Sequence, residues 1–492
     1  MLAAVASLVA IAAAAQEAAA PTSSAAVQVS PDATGAIATV SRNGPVNGNG
    51  AFFQSLGTNG RSCATCHVAD QAMSISVKDV QRRFQQSRGA DPLFAAIDGG
   101  NCPTAHRGNA ADHSLLLKHG LIRVFITVPA NAQFSISVVH DPYGCAIAPS
   151  ATGPVVSVYR RPLPTANLNF LSTIMFDGRE THVPLNVLAS FPANLTTDLT
   201  QQAIDATTTH AQAAQAPTPE QLSDILAFEL GLYTAQAYDY LAGSLHARGA
   251  LGGPEYLARD LAPLYYPGIN DSLGADPDGH AFNPAAMSLY VPWSNLHDKN
   301  GDFLEQLRDD ARRAIAAGEA VFNSAPVQIS NVRGLNDNPA LGSPTTFTGT
   351  CTTCHDTPNT GNHSFPLPLD IGTGHSALPS LESDPNIAAG LGELSGPDLP
   401  VYLISGCPNP FGAGQPESFY TTDPGKALVT GSCGDFNRGK GPILRGIAAR
   451  APYFHNGAAA NLHELVNFYN QRFQMGLTDE QKQDLIAFLN SL

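Results

Sequence analysis

Two C-x-x-C-H strings constrain this chain more than any other feature of its 492 residues. They read Cys63-Ala-Thr-Cys66-His67 and Cys351-Thr-Thr-Cys354-His355. Two thiols three positions apart on one turn can each add to a vinyl group on one edge of a porphyrin. The adjacent histidine then lies under the iron as its proximal ligand. A zinc site built from C-x-x-C pairs does not require histidine directly after each pair. A thioredoxin-like redox pair needs a βαβ context, which neither string has. The spacing therefore predicts two covalently bound haem c groups, held by Cys63, Cys66, Cys351 and Cys354 and ligated by His67 and His355. The other cysteines, Cys102, Cys145, Cys407 and Cys433, fall as one pair in each half of the chain. In an oxidising compartment they predict bridges 102–145 and 407–433, with free buried thiols as the alternative.

The haem strings are 288 residues apart, and each follows a similar step. Asn49-Gly50-Ala51-Phe52-Phe53 precedes the first, and Gly318-Glu319-Ala320-Val321-Phe322 precedes the second. Residues 218–228 (TPEQLSDILAF) and 478–488 (TDEQKQDLIAF) repeat one another. Each opens with a Thr-x-x-Gln capping box, Thr218/Gln221 and Thr478/Gln481, and Pro219 suits the first helical position. Leu222, Ile225 and Leu226 recur at helical spacing, with Glu229 read as facing outward. A weaker repeat relates 164–178 (PTANLNFLSTIMFDG) to 442–457 (PILRGIAARAPYFHNG). Stretches 115–128 and 134–139 read as a strand pair. Residues 240–305, which hold the single tryptophan Trp293, show little periodicity and read as an insertion or connector.

Composition narrows the function classes. The 26 basic against 41 acidic side chains give a formal charge of −15, which repels phosphate backbones and attracts a basic partner, so no nucleic-acid binding is expected. Residues 2–15 are small and apolar, the length of a signal-peptide core, with a small-residue cleavage site at 13–15 but no preceding Lys or Arg. Residues 1–25 are expected to be a signal peptide cleaved near 15–25, giving a periplasmic or secreted protein with no membrane span.

The two haem strings, the Phe176-Asp177-Gly178-Arg179-Glu180 segment and the Ala451-Pro452-Tyr453-Phe454-His455-Asn456-Gly457 segment together resemble the bacterial dihaem cytochrome c peroxidase superfamily, which includes the MauG-type maturation enzyme. The resemblance covers roughly residues 45–492 outside the insertions. It implies a mainly α fold: two cytochrome c-like haem domains with loop-rich and small β insertions. These would be residues 40–240 and 306–492, joined by a connector at 241–305. In that family the N-terminal haem meets peroxide and the C-terminal haem relays electrons.

Further residues follow from the resemblance. The family's sixth ligand to the C-terminal haem lies fourteen residues after the histidine of PYxHxG, which is Tyr469 here, with Met475 as the alternative. A phenolate stabilises ferric iron where a thioether favours ferrous. The inter-haem tryptophan of the family is replaced by Phe176. The distal Gln and Glu, ten residues apart, correspond to Gln202 and Gln212, and His210 is a candidate acid–base group in place of the missing carboxylate, an iron ligand, or a surface residue. The position of the gating histidine is Arg83, implying an N-terminal haem open to ligand. A structural calcium belongs to the family, and its ligands are not identifiable here; Asp298-Lys299-Asn300-Gly301-Asp302 reads as a turn.

The expected function is peroxide reduction. A small redox donor protein, a cytochrome c or cupredoxin, feeds the His355 haem, and hydrogen peroxide is reduced at the His67 haem beside Gln202, His210 and Gln212. The alternatives are a dihaem oxidase or oxygenase using dioxygen on an organic or protein substrate, and a pure electron-transfer cytochrome.

Overall fold

The computed structural model describes residues 26–182, 191–274, 276–297, 302–358, 360, 367–374, 398–407 and 418–492. The expected signal peptide at 1–25 lies outside the described residues, as does most of the turn at 298–302.

Among the described residues seven α-helices of six or more residues carry the architecture: α1 (Val77–Ser87), α2 (Ser114–His119), α3 (Phe191–Thr209), α4 (Pro219–Leu230), α5 (Phe303–Ser324), α6 (Leu462–Arg472) and α7 (Asp479–Asn490). Five of them, α1 and α4 to α7, start at side-chain caps that satisfy otherwise orphaned N–H groups. Thr218 and Thr478 accept from the backbone N–H of Gln221 and Gln481, and both glutamines reach back, so α4 and α7 begin with the reciprocal box that the repeat predicts. Asp302 caps α5 and Asn461 caps α6. The helices α5 and α7 cross at Gly318, where a Cβ would overlap the carbonyl of Asp484. Glycine is therefore required by the close approach of two backbones.

Strands are more numerous than the sequence suggests. Among the described residues twelve lie in four sheets: β1 (Ala26–Pro31), β2 (Gly35–Ser41), β3 (Ile122–Thr127), β4 (Ser135–His140), β5 (Ile147–Ala148), β6 (Val155–Arg160), β7 (Leu232–Asp239), β8 (Gly243–Ser244), β9 (Val327–Ser330), β10 (Thr346–Gly349), β11 (Val401–Ser405) and β12 (Ser418–Thr421). The expectation of a mainly α fold with only small β insertions is thus corrected: the described residues form a mixed α and β structure. The physical reason is that the partners are remote. β2 pairs antiparallel with β7, Thr39 facing Thr234, and every residue of β2 is buried, so no alternation marks it. The segments 115–128 and 134–139 do not pair with each other either. Residues 114–119 are helical, β3 pairs β6, and β4 pairs β11 from the far half of the chain.

The β4–β11 pairing makes a core shared by both halves, in which Val124, Phe134, Val156 and Val158 meet Tyr402, Ile404, Phe419 and Phe436. The disulfides Cys102–Cys145 and Cys407–Cys433 flank this region, and both have the pairing read from the sequence. From the described part of 241–305, Met287, Leu289, Tyr290 and Trp293 enter the same core as Phe322 and Phe488. Among the described residues no helix is long and apolar enough to cross a membrane.

Candidate functional site

Both C-x-x-C-H strings fold into one tight turn. In the first, Thr65 Oγ1 accepts from the Ser62 N–H at 3.0 Å, and the His67 N–H closes on the Cys63 carbonyl at 3.0 Å. In the second, Thr353 Oγ1 accepts from the Thr350 N–H at 3.0 Å, and the His355 N–H closes on Cys351 at 2.9 Å. Nδ1 of His67 lies 3.1 Å from the Met73 carbonyl and Nδ1 of His355 lies 3.1 Å from the Thr360 carbonyl. A carbonyl only accepts, so Nδ1 carries the proton in each ring and Nε2 keeps the lone pair that a metal needs. Burial lowers both imidazoles to about 4, against weaker help from those carbonyls, so both are neutral at neutral pH. The four cysteines of the strings are unbridged, while the other four are paired. Burial raises the thiols, Cys66 to about 11 and the other three to about 12.

The two halves repeat around these turns. Phe52 lies 6.4 Å from the His67 ring and 4.5 Å from Phe228; Phe322 lies 6.3 Å from His355 and 5.4 Å from Phe488. The Asn167 N–H donates to the Leu232 carbonyl at 2.9 Å, and the Gly446 N–H donates to that of Leu492 at 2.9 Å. Asn167 and Gly446 are both left-handed, at φ 61° and 69°, and Met175 and Phe454 both have φ 64°. The weaker repeat is therefore a structural one. It makes Phe176 and His455 equivalent positions, and their rings stack on each other at 4.5 Å and 16°.

Each turn opens on a largely apolar cavity. Around Cys63, Cys66 and His67 it is lined by Leu168, Leu171, Ile174, Leu199 and Ile225; around Cys351, Cys354 and His355 by Phe322, Ile329, Leu335, Leu444 and Leu489. Unbridged thiols, a histidine with free Nε2 and an apolar slot are the donor set and surroundings that a covalently bound haem requires, so the residues fit the group at both places. The cavities share one wall: Arg160, Arg161, Pro162, Leu163, Pro164, Phe176 and Lys440 line both. Arg160 fixes that wall. Its guanidinium holds Asp423 through Nε at 2.6 Å and Nη2 at 2.8 Å, holds Asp177 through Nη1 at 2.5 Å, and lies 4.9 Å from the Phe176 ring centroid. Burial alone raises both carboxyls; the Arg160 charge overcomes it and keeps them below the usual range.

The sequence candidates separate in space. Gln202 and His210 of the α3 segment line the His67 cavity. Gln212 does not: it is exposed, at φ 55°, and its Oε1 accepts from Asn59 at 3.2 Å. His210 is held at Nδ1 by Asp98, which also pairs with Arg61. Burial opposes the ionisation of Asp98, and the neighbouring Arg61 and His210 reverse that effect. Tyr469 and Met475 both line the His355 cavity, with the Tyr469 ring 6.3 Å from that of His355. Arg83 reaches neither cavity; it pairs with Asp91 at 2.6 Å and braces the first C-x-x-C-H turn by donating to the Thr65 carbonyl at 2.6 Å. Trp293 is buried against Tyr290 and donates to the Ala247 carbonyl at 2.9 Å, away from the shared wall.

Sequence reasoning missed Arg61, Asp98, Arg160, Lys440 and Glu229. Glu229 was read as outward-facing but is 4% exposed and lines the His67 cavity. For calcium, one group among the described residues could hold a cation: Asp276, Asp278 and His280, with candidate ligand atoms within 4.8 Å of one another.

Comparison with known proteins bears on this geometry. No protein-family model matches the chain. A cytochrome-c peroxidase of Denitromonas iodatirespirans, IdrP2, is 30% identical over 151 residues, 29% of this chain and 36% of that protein. The chain is similar to cytochrome-c peroxidases over part of its length. A second from the same organism, IdrP1, is 33% identical over 81 residues, covering 14% of this chain and 22% of its own length. IdrP1 of Pseudomonas sp. (strain SCT) is 32% identical over 109 residues, 19% and 29% of the respective chains. The matched stretches thus span about a third or less of those relatives.

Proposed function

We propose that the chain is a periplasmic dihaem oxidoreductase that reduces hydrogen peroxide, with one haem domain in each half. The observation that carries the reading is the pair of neutral histidines with free Nε2 beside unbridged C-x-x-C thiols, on two cavities separated by one shared wall. Similarity to cytochrome-c peroxidases supports the reaction class. A haem bound at His67 supplies the iron at which peroxide accepts two electrons, and one bound at His355 supplies their entry point from a small donor cytochrome or cupredoxin.

The protein's part is orientation and proton movement. Reduction of one peroxide consumes two electrons and two protons and yields two waters. Asp98 fixes His210 through Nδ1, which leaves Nε2 to pass a proton within the cavity. Gln202 provides an amide that orients the peroxide by hydrogen bonding without titrating. Phe176, not an oxidisable tryptophan, fills the shared wall and stacks on His455. Tyr469, which lines the same cavity as His355, would offer a phenol oxygen as a further donor to a haem held there. The net charge of −15 favours a basic donor.

Mixing the ferric holoprotein with millimolar peroxide in a stopped-flow spectrometer tests the proposal. A rapid Soret change and peroxide-dependent oxidation of a reduced donor are expected; an unchanged spectrum sinks it. The apolar lining of the His67 cavity, Leu168, Leu171, Ile174 and Leu199, favours a second reading, an oxygenase acting on an organic substrate, for which stable dioxygen binding by the as-purified protein is the marker.

A further inference from the structure

The internal repeat breaks at one buried position. Thr218 of α4 aligns with Thr478 of α7, which puts Glu229 in register with Leu489. Leu489 lines the His355 cavity and Glu229 lines the His67 cavity. Two independent observations set Glu229 apart. It is 4% exposed, and its Oε2 is buried without a hydrogen-bond partner. No ion pair reaches it among the described residues. A carboxyl buried in this way costs stability, and Leu489 shows that the same helix packs against a haem turn without one. The cost is retained in one half only.

Apart from Lys440, the other charged groups facing that cavity have partners among the described residues. Arg61 pairs with Asp98, and Asp98 also holds His210. Arg160 holds Asp177 and Asp423, and Arg179 holds Asp177 at 3.0 Å. Arg161 donates to the carbonyls of Ile75 and Arg450 at 2.6 and 2.9 Å. His67 donates to Met73. Lys440 lies in the wall shared by both cavities, with burial lowering its ammonium to about 8. Cys63 is near enough for Glu229 to add to the upward push on its thiol, although burial is the larger cause. Glu229 itself is raised by burial to about 8.

We propose that Glu229 is a redox-linked proton site of the His67 cavity. Its carboxylate takes up a solvent proton when the iron held by His67 gains an electron, and the carboxyl releases that proton when the electron leaves. The balance is Fe(III) with carboxylate, plus one electron and one proton, giving Fe(II) with carboxylic acid, and the reverse. The electron comes from the donor protein, or from a mediator dye in the test, and peroxide is the physiological acceptor. Ferric iron adds a positive charge that favours the carboxylate; ferrous iron removes it. The site thus stores, inside a dry cavity, a proton of the kind that peroxide reduction consumes. This inference rests on the haem reading above and extends it.

The test is a spectroelectrochemical titration of the holoprotein between pH 6 and pH 9, with haem content fixed beforehand by pyridine haemochrome. In the wild type the midpoint potential of one haem should fall with pH by up to about 59 mV for each tenfold drop in proton concentration. Glu229→Gln and Glu229→Leu should both flatten that slope and leave the other haem unchanged. The leucine variant copies the second half of the molecule, which guards against a folding artefact. A slope lost in Lys440→Met but kept in both Glu229 variants would overturn the inference. So would a flat wild-type profile with both haems present. Fewer than two haems per chain would instead defeat the underlying reading.

Discussion

Replacing Arg160 by methionine should loosen the wall between the two cavities more than any other single change. The guanidinium is 4% exposed and neutralises two carboxylates that are 0% and 3% exposed, Asp177 from one half and Asp423 from the other. Removing one partner of a buried pair costs roughly 3–5 kcal/mol, because the remaining charge stays out of water. Asp177 retains Arg179 at 3.0 Å, so the damage concentrates on Asp423. A loss of about 4 kcal/mol follows, near a thousandfold in the folding equilibrium. Its pH dependence has a definite sign. In the wild type both carboxyls are depressed, so their contribution is present above the unfolded value of about 4 and disappears as pH falls through the folded value. In the variant, burial raises Asp423 with only the Gly425 N–H at 2.8 Å and His455 at 3.7 Å left to oppose it, so the site folds best when that carboxyl is protonated. The deficit should therefore be largest at pH 7 and shrink toward pH 4. Urea unfolding of the holoprotein followed by far-UV circular dichroism, at both pH values, measures it. A deficit under about 1 kcal/mol at pH 7, or one that is the same at pH 4, would refute the reasoning.

Other outcomes are equally specific. His210→Gln should lower peroxide turnover by about 10²–10⁴-fold with haem content unchanged, read from steady-state donor oxidation. Gln202→Ala should lower turnover, whereas Gln212→Ala should leave it within twofold, since only the first lines the cavity. Tyr469→Phe should change the ferric optical spectrum of one haem, and Met475→Ala should not; the opposite pattern assigns the ligand to Met475. Gly318→Val should destabilise the second half by more than about 3 kcal/mol, measured by the urea midpoint, because backbone at Asp484 leaves no room for a Cβ.

What the sequence revealed was local. The C-x-x-C-H strings, the two capping boxes and the cysteine pairing each depend on residues close in the chain or few in number. The sheets were hidden because β2 finds β7 nearly two hundred residues away and β4 finds β11 across both halves. Asp98 and Arg61 lie 37 residues apart with no spacing rule to join them. Glu229 was misread for a different reason. Positions 222, 225, 226 and 229 share one helical face, so the period that buries Ile225 and Leu226 buries Glu229 as well, although charged residues are generally exposed. Its alignment with Leu489 was the available signal. The weaker repeat said nothing of Phe176 and His455; their equivalence rests on the left-handed residues at 167 and 446, and at 175 and 454, in the fold.

The central claim is that each half of the chain binds one porphyrin through its own C-x-x-C-H turn. Pyridine haemochrome analysis combined with intact mass of the denatured protein tests this most directly. The account predicts two c-type haems that survive denaturation, one lost in a Cys63→Ala/Cys66→Ala variant and the other in a Cys351→Ala/Cys354→Ala variant. A single haem per polypeptide, or haem released on unfolding, would contradict it.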